Sequence, residues 1–340
     1  MGVGQFIFAV YYSGFGLIGT SVLGPVPLIL LILFKLQIAV RNKMKLGTFI
    51  NKEKSNILDN EGKYKWKNII PLMGNWIANT GHVFLFTYAF KFAKKGGLNQ
   101  GIIPIVTTLA TLYNSIIFYK AFGEKVSGPK IFGMLFTVGC VVFLALDSTS
   151  RKAVAGSDVE PVYALYSLIC GFFVPIGFST KHYLIRKYKG SYDSNHLPLD
   201  SAILESLSCA VFIPFYIAEK GMFTPYSFLI GSISGCLMVA GRILVAMAVA
   251  EGYGGPAQSL MSCNTIYTTI LTITIDGQLV SLLQLLGLIS GLTGSAIIAT
   301  GDEIVASCKS TPNKAKQEPA TPAAATTEIE LEKFYPNALE

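Results

Sequence analysis

The chain has 340 residues, 51% of them hydrophobic and 14% charged, with a net charge of +7 and a mean hydropathy of +0.52. Soluble domains carry about 25% charged residues, so this chain lacks the polar skin that a soluble fold needs, and its apolar content excludes disorder over most of its length. The basic residues sit in short loops between apolar runs, not along one face, which excludes a nucleic-acid-binding surface; what remains is a polytopic protein of the lipid bilayer.

A helix that crosses hydrocarbon needs about 20 apolar residues. Ten candidate runs follow one another, at 4–20, 23–40, 68–92, 98–119, 129–147, 162–185, 201–218, 226–250, 255–275 and 280–300. The first carries no basic leader and the apolar stretch continues to about residue 40, unlike a signal peptide. The first two runs are separated by Leu23-Gly24-Pro25-Val26-Pro27, a strong break. The connection at 41–67 is long, basic and polar, and reads as a cytoplasmic segment near anionic lipid. The segment 304–340 is rich in Ala, Thr, Pro, Glu and Lys and reads as a disordered cytoplasmic tail. Cys140, Cys170, Cys209, Cys236 and Cys263 lie in apolar runs without a CxxC pair, as buried thiols do, while Cys308 follows the last run.

With both ends in the cytoplasm, the loops and tail on that side hold 18 of the 27 Lys and Arg residues, against 6 on the other side. This bias fits the positive-inside rule and requires an even number of spans. Three basic residues, Lys35, Lys181 and Arg242, fall inside the spans themselves.

The two halves repeat. Gly96-Gly97-Leu98-Asn99-Gln100 matches Gly254-Gly255-Pro256-Ala257-Gln258 at an offset of 158, which also pairs Thr107 with Thr265 and Thr111 with Thr269. Gly123-Glu124-Lys125-Val126-Ser127 and Gly133 match Gly277-Gln278-Leu279-Val280-Ser281 and Gly287 at an offset of 154. With five spans per copy, the second enters the membrane from the opposite side, the inverted plan common among secondary transporters. The expected fold is an all-α integral membrane protein of ten transmembrane helices in two inverted five-helix repeats. The first repeat occupies 1–150, the second 160–303, and the tail 304–340.

These features resemble the drug/metabolite transporter superfamily, and within it the EamA-like proteins related to nucleotide-sugar and triose-phosphate translocators. The resemblance covers about 1–303. It rests on the ten spans, the five-plus-five repeat, the Pro25-containing start of the second span, and Phe122-Gly123-Glu124-Lys125-Val126-Ser127 followed by Gly133 and Gly139. Gln278 departs from it, because a glutamate is usual there. The resemblance implies a transporter that works by alternating access, with a central cavity lined by the first, third, fourth, sixth, eighth and ninth spans.

A polar side chain in hydrocarbon is costly, so it faces a cavity or a partner. Asn75, Asn79 and His82 share one helix face by their spacings of four and three. His82 lies about 22 Å from Lys67 by helix rise, near the bilayer centre. Arg242 lies about 12 Å inside its span and stays charged, so it needs a carboxylate, backbone carbonyls, water or an anion; Glu205 has the right depth to be the carboxylate. Lys181 and His182 are little more than one turn from Arg186, and Lys181, like Lys35, is expected to snorkel to the interface. Spans four and nine carry polar faces, Thr107, Thr111 and Asn114 on one, Asn264, Thr268 and Thr272 on the other. Small and hydroxylated residues also serve helix packing; the family plan favours cavity lining for Asn114, Asn264 and Tyr267. Glu124 is expected to pair with Lys125 or cap the next helix, and His196 is expected in a loop.

No Walker motif, GxSxG, HExxH or metal-spaced His/Cys set occurs, so no enzyme chemistry, cofactor or metal is expected. The expected role is transport of a small organic metabolite, leaning to an anionic solute such as a nucleotide sugar or phosphorylated metabolite, in a eukaryotic endomembrane or plasma membrane. Two rivals exist: a non-transporting scaffold or receptor acting through the basic loop and tail, and a channel. Polar residues at the midplane argue against the scaffold. The absence of a ring of charges or a filter motif argues against the channel.

Overall fold

The computed structural model describes residues 1–51, 55–59, 61–124, 126–150, 160–193, 196–219, 224–250, 261 and 263–310. Met1–Asp302 is one compact unit, and Glu303–Glu340 is a second, described only as far as Ser310, where it is helical. The expectation of a disordered tail and the Gly254–Gln258 part of the repeat fall largely outside the described residues, as do Lys125 and the side chain of Cys308.

The first apolar run is not one regular helix. It starts as α1 (Gly2–Ile7), widens to a π turn over Phe8–Tyr12 and tightens to 3₁₀ geometry over Ser13–Leu23. Gly16 sits there at φ +61°, a left-handed value that glycine adopts without a Cβ penalty. The glycines at 14, 16 and 19 explain the change, since helical propensity is weakest at glycine.

α2 (Pro25–Leu46) begins with proline in its first turn, where the missing N–H costs nothing, and stops at Gly47 with φ +73°. α3 spans Trp66–Lys95. The fourth run opens with 3₁₀ turns over Gln100–Thr108, with Pro104 inside, and becomes α4 (Leu109–Phe122). α5 (Gly128–Ser150), α6 (Pro161–Lys187) and α9 (Pro225–Ala250) are long and continuous. The run expected at 201–218 is two helices, α7 (His196–Ala210) and α8 (Ile213–Ala218), the second starting at a proline in its first turn. His196 is therefore the first residue of a helix, not a loop residue. α10 (Asn264–Thr274) and α11 (Leu282–Ser310) are the last described helices.

Seven stretches of described helix are long and apolar enough to cross a bilayer: Gly2–Leu46, Gln100–Phe122, Gly128–Asp147, Val162–Lys187, His196–Ala218, Pro225–Ala250 and Leu282–Gly301. Their outer faces are apolar as well. On α2 Ile29, Leu30, Leu33 and Leu36 are exposed, and on α5 Ile131, Phe132, Leu135 and Val142. Water does not tolerate apolar surface on that scale, and in hydrocarbon a helix satisfies its own backbone. The protein is an all-α integral membrane protein.

The helices approach closely where small residues leave room. A Cβ on Gly96 would lie 2.3 Å from the backbone nitrogen of Ala164, and one on Gly177 would lie 2.8 Å from the Ala78 carbonyl oxygen. These two contacts hold α3 against α6 at one end and near the middle, and Ser167 donates to the Ala89 carbonyl between them at 2.7 Å. Phe8, Tyr12, Phe86, Phe90, Phe178 and Met238 fill the core on one side of this pair. Ile102, Ile105, Leu109, Leu144 and Leu288 fill a second core beside it.

Candidate functional site

A polar cluster lies inside the bundle, supplied by α3, α4, α6, α7 and α9. Asn75, Asn79 and His82 are buried on one face of α3, as their spacing requires. Asn75 Oδ1 accepts from Asn79 Nδ2 and from Ser201 Oγ of α7, both at 3.2 Å. On α9, Arg242 donates from Nε to the Met238 carbonyl one turn back. Its Nη1 lies 2.5 Å from Glu205 Oε1 of α7, an ion pair of which both members are about 95% buried. The depth match between Glu205 and Arg242 is thus realised as contact, although Nη1 lacks hydrogen-bond alignment.

Lys181 does not snorkel. It is 3% exposed, within electrostatic range of both Arg242 and Glu205, and makes no hydrogen bond or ion pair among the described residues. The reason is helical phase. The buried side of α6 runs through Gly171, Val174, Phe178 and Ile185, and Lys181 lies on that side, so a side chain directed at the interface would have to leave its own helix face. His182 is buried for the same reason, and Asn114 Nδ2 stands 3.0 Å from its Nδ1. With the amide donating, Nδ1 accepts and the ring proton sits on Nε2.

Several polar atoms of this cluster are buried with no partner among the described residues: Asn75 Nδ2, His82 Nδ1, Asn114 Oδ1 and His182 Nε2. Such groups are rare in folded proteins, because each costs about 1–3 kcal/mol when left unmade. Charge is also unbalanced. Among the described residues Lys181 and Arg242 face one carboxylate, Glu205, and His82 lies within range of both cations.

The other expected residues sit elsewhere or turn away. The Thr107 and Thr111 hydroxyls donate to the Pro104 and Thr108 carbonyls of their own helix, at 2.5 and 2.6 Å. Thr268 is fully buried and bonds to the carbonyls of Asn264 and Gly2. These hydroxyls are spent on backbone, the use that favours helix packing. Asn264 lines a cavity of about 260 Å³ with Met1, Gly241 and Val245. Tyr267 is 62% exposed, so it contributes no hydroxyl to the buried cluster.

Lys35 is engaged too, at 2.6 Å from Asp200 and 3.1 Å from His196 Nδ1. Tyr192, in the turn before α7, donates to Asp200 at 2.7 Å; burial and then the neighbouring carboxylate push its phenol up. Glu124 pairs with Arg186 of the neighbouring α6, whose guanidinium covers the rings of Phe118 and Phe122. At the opposite end, Gln278 accepts from the Gln100 N–H at 2.7 Å and donates to Gln100 Oε1 at 3.0 Å. A glutamate at 278, as the family pattern has it, could not donate when ionised.

His182 and Ser201 escaped the sequence reading as site residues. The signal that would have found His182 is the small-and-apolar stripe along α6, which carries the inward face past Lys181. Ser201 offered none, because its role depends on which helix α3 meets.

No family model matches the chain, and no curated protein matches it. Among solved structures, one described as "Crystal structure of protein" is similar over 88% of this chain and 98% of its own, with 13% sequence identity and a TM-score of 0.47.

Proposed function

We propose that this protein is a secondary transporter of the drug/metabolite superfamily type, with ten spans in two inverted five-helix repeats and both ends in the cytoplasm. It moves a small organic metabolite carrying an anionic group by alternating access. The observation that carries the reading is the excess of buried cation among the described residues of α6, α7 and α9: Lys181 and Arg242 against Glu205, with unpartnered polar atoms of α3, α4 and α6 around them. A buried charge that lacks a counter-ion is strongly unfavourable. An anion that arrives and leaves is the partner such a site calls for, and Arg binds carboxylates and phosphates with geometric specificity.

The inverted repeat is supported by a local exchange relation between α5 and α11. Ser290 donates to the Phe136 carbonyl, two residues separated by 154, the offset of the sequence repeat. Around that point contacts come in exchanged pairs. A Cβ on Gly133 would meet the Gly294 carbonyl at 2.8 Å, and one on Gly287 would meet the Cys140 carbonyl at 3.3 Å. The same offset relates the contact of Gly294 with Thr137 to that of Gly291 with Cys140. Helix neighbours follow the same exchange: α3 packs on α6 as α9 packs on α1, α4 packs on α6 as α10 packs on α1, and α2 packs on α7.

The test uses Lys181→Met, a near-isosteric change that removes an unpaired buried charge. Thermal midpoints of purified protein are compared with a panel of nucleotide sugars, sugar phosphates, carboxylic acids, amino acids, nucleobases and cationic drugs. Ligands that bind the folded state raise its midpoint. The expected result is a hit among the anions in wild type, with a variant that is as stable or more stable when unliganded and no longer responds. A variant that responds like wild type, or a wild type stabilised only by neutral or cationic compounds, refutes the anion site.

A further inference from the structure

Between α3 and α6 a groove of about 510 Å³ opens on the side of the bundle. Ile77, Phe173 and Ile176 form its rim and are 63%, 49% and 45% exposed, so in a membrane they meet lipid. Small residues create the space. A Cβ on Gly81 would meet nothing within 4 Å, so the helix face is open there. His82 belongs to the wall of this groove, and it also belongs to the charged cluster, within electrostatic range of Lys181 and Arg242. The imidazole itself is 4% exposed, and its Nδ1 has no partner among the described residues.

The groove and the cation pair therefore share one residue, and their chemistries are complementary halves of one molecule. A sugar or nucleotide entering an apolar, lipid-facing groove would leave its hydroxyls unsatisfied. A bare hydrocarbon would leave Lys181 unpaired. We propose that the solute is an anionic amphiphile: one acyl or prenyl chain lies in the α3–α6 groove, and its carboxylate or phosphate reaches Lys181 and Arg242 past His82. This narrows the anion reading above and rests on it.

The test compares wild type, Gly81→Leu and Lys181→Met in phosphatidylcholine nanodiscs. The probes are palmitate and farnesyl phosphate, with hexadecanol as an uncharged chain and glucose 6-phosphate as a head without a chain. Gly81→Leu fills the open space without a backbone clash; Thr180→Leu, also in the groove wall, is the second filling variant should the first fail to fold. Palmitate or farnesyl phosphate should raise the wild-type midpoint saturably. Either filling variant should weaken that binding at least tenfold, and Lys181→Met should abolish it, while hexadecanol and glucose 6-phosphate have no effect. Stabilisation by glucose 6-phosphate that survives Gly81→Leu, without a response to the amphiphiles, keeps the anion site and overturns the amphiphile. Hexadecanol binding as well as palmitate, insensitive to Lys181→Met, makes the groove a crevice for bulk lipid and overturns the link to the cations. Silence to every anion overturns this proposal together with the one it rests on.

Discussion

The contact between α5 and α11 and the polar centre between α3, α6, α7 and α9 are both buried, and both contain polar and charged groups, which they treat in opposite ways. At the first, Asp147 accepts from Ser281 Oγ at 2.5 Å and from Gln284 Nε2 at 2.8 Å, Ser290 donates to a facing carbonyl, and glycines let the backbones touch. In the second, among the described residues, one ion pair is made, Lys181 makes none, and amide and imidazole atoms are buried without a hydrogen-bond partner. The difference separates a place where polar groups hold helices together from a place where, on the function proposed above, they wait for a ligand. Proteins accept unsatisfied groups at functional sites and offset the cost elsewhere.

The largest expected effect sharpens the contrast inside the centre. Arg242→Met breaks the buried ion pair and leaves Glu205 with only the more distant Lys181 in electrostatic range, and the loss should be about 3–5 kcal/mol of stability. Arg242→Met combined with Glu205→Leu should recover most of it, because the orphan charge is gone. Denaturant unfolding in mild detergent measures both. A double variant as unstable as the single one would mean that Arg242 supports the fold through more than Glu205. Lys181→Met should move stability the other way or leave it unchanged, since Glu205 keeps its direct contact with Arg242 and a buried charge beside that arginine is removed.

The next effect breaks the α5–α11 contact. Leucine at Gly294 would place its Cβ 2.6 Å from the Gly133 carbonyl oxygen and 2.7 Å from the Thr137 nitrogen. Backbone cannot rotate away as a side chain can, so overpacking should cost about 1–3 kcal/mol. Gly287→Leu, at the repeat counterpart of Gly133, should behave similarly but more mildly, because its nearest contact is at 3.3 Å. Equal tolerance of both changes would contradict a tight interface. The smallest effect is Ser290→Ala. It removes one hydrogen bond to the Phe136 carbonyl and should cost about 1 kcal/mol, read as a small drop in thermal midpoint with no change in ligand response.

Much of this was legible along the chain. Apolar run lengths located the helices, and proline in the first turn with a left-handed glycine after the last marked α2 at both ends. The spacing of Asn75, Asn79 and His82 placed them on one face, and depth alone matched Arg242 with Glu205. What failed did so for identifiable reasons. Lys181 was expected at the interface because distance from the helix end was weighed and helical phase was not. The threonines of the fourth run were expected to line a cavity, but a hydroxyl one turn from a free carbonyl can be satisfied by its own helix. The run at 201–218 was read as one helix, although Pro214 starts a second.

By itself, the sequence determined a membrane-embedded helical protein, because hydrophobic run length and charge placement are properties of the chain that hold whatever its helices touch. It also determined which residues share a helix face, since that follows from 3.6 residues per turn. The tertiary structure decided which faces meet: that Ser201 reaches Asn75, that Asn114 reaches His182, that Lys181 is enclosed without a direct ion pair among the described residues, and that the α3–α6 groove shares His82 with the charged cluster. Those are relations between helices far apart in the chain, and in a bilayer they are set by small-residue packing and interhelical hydrogen bonding, which local periodicity does not encode.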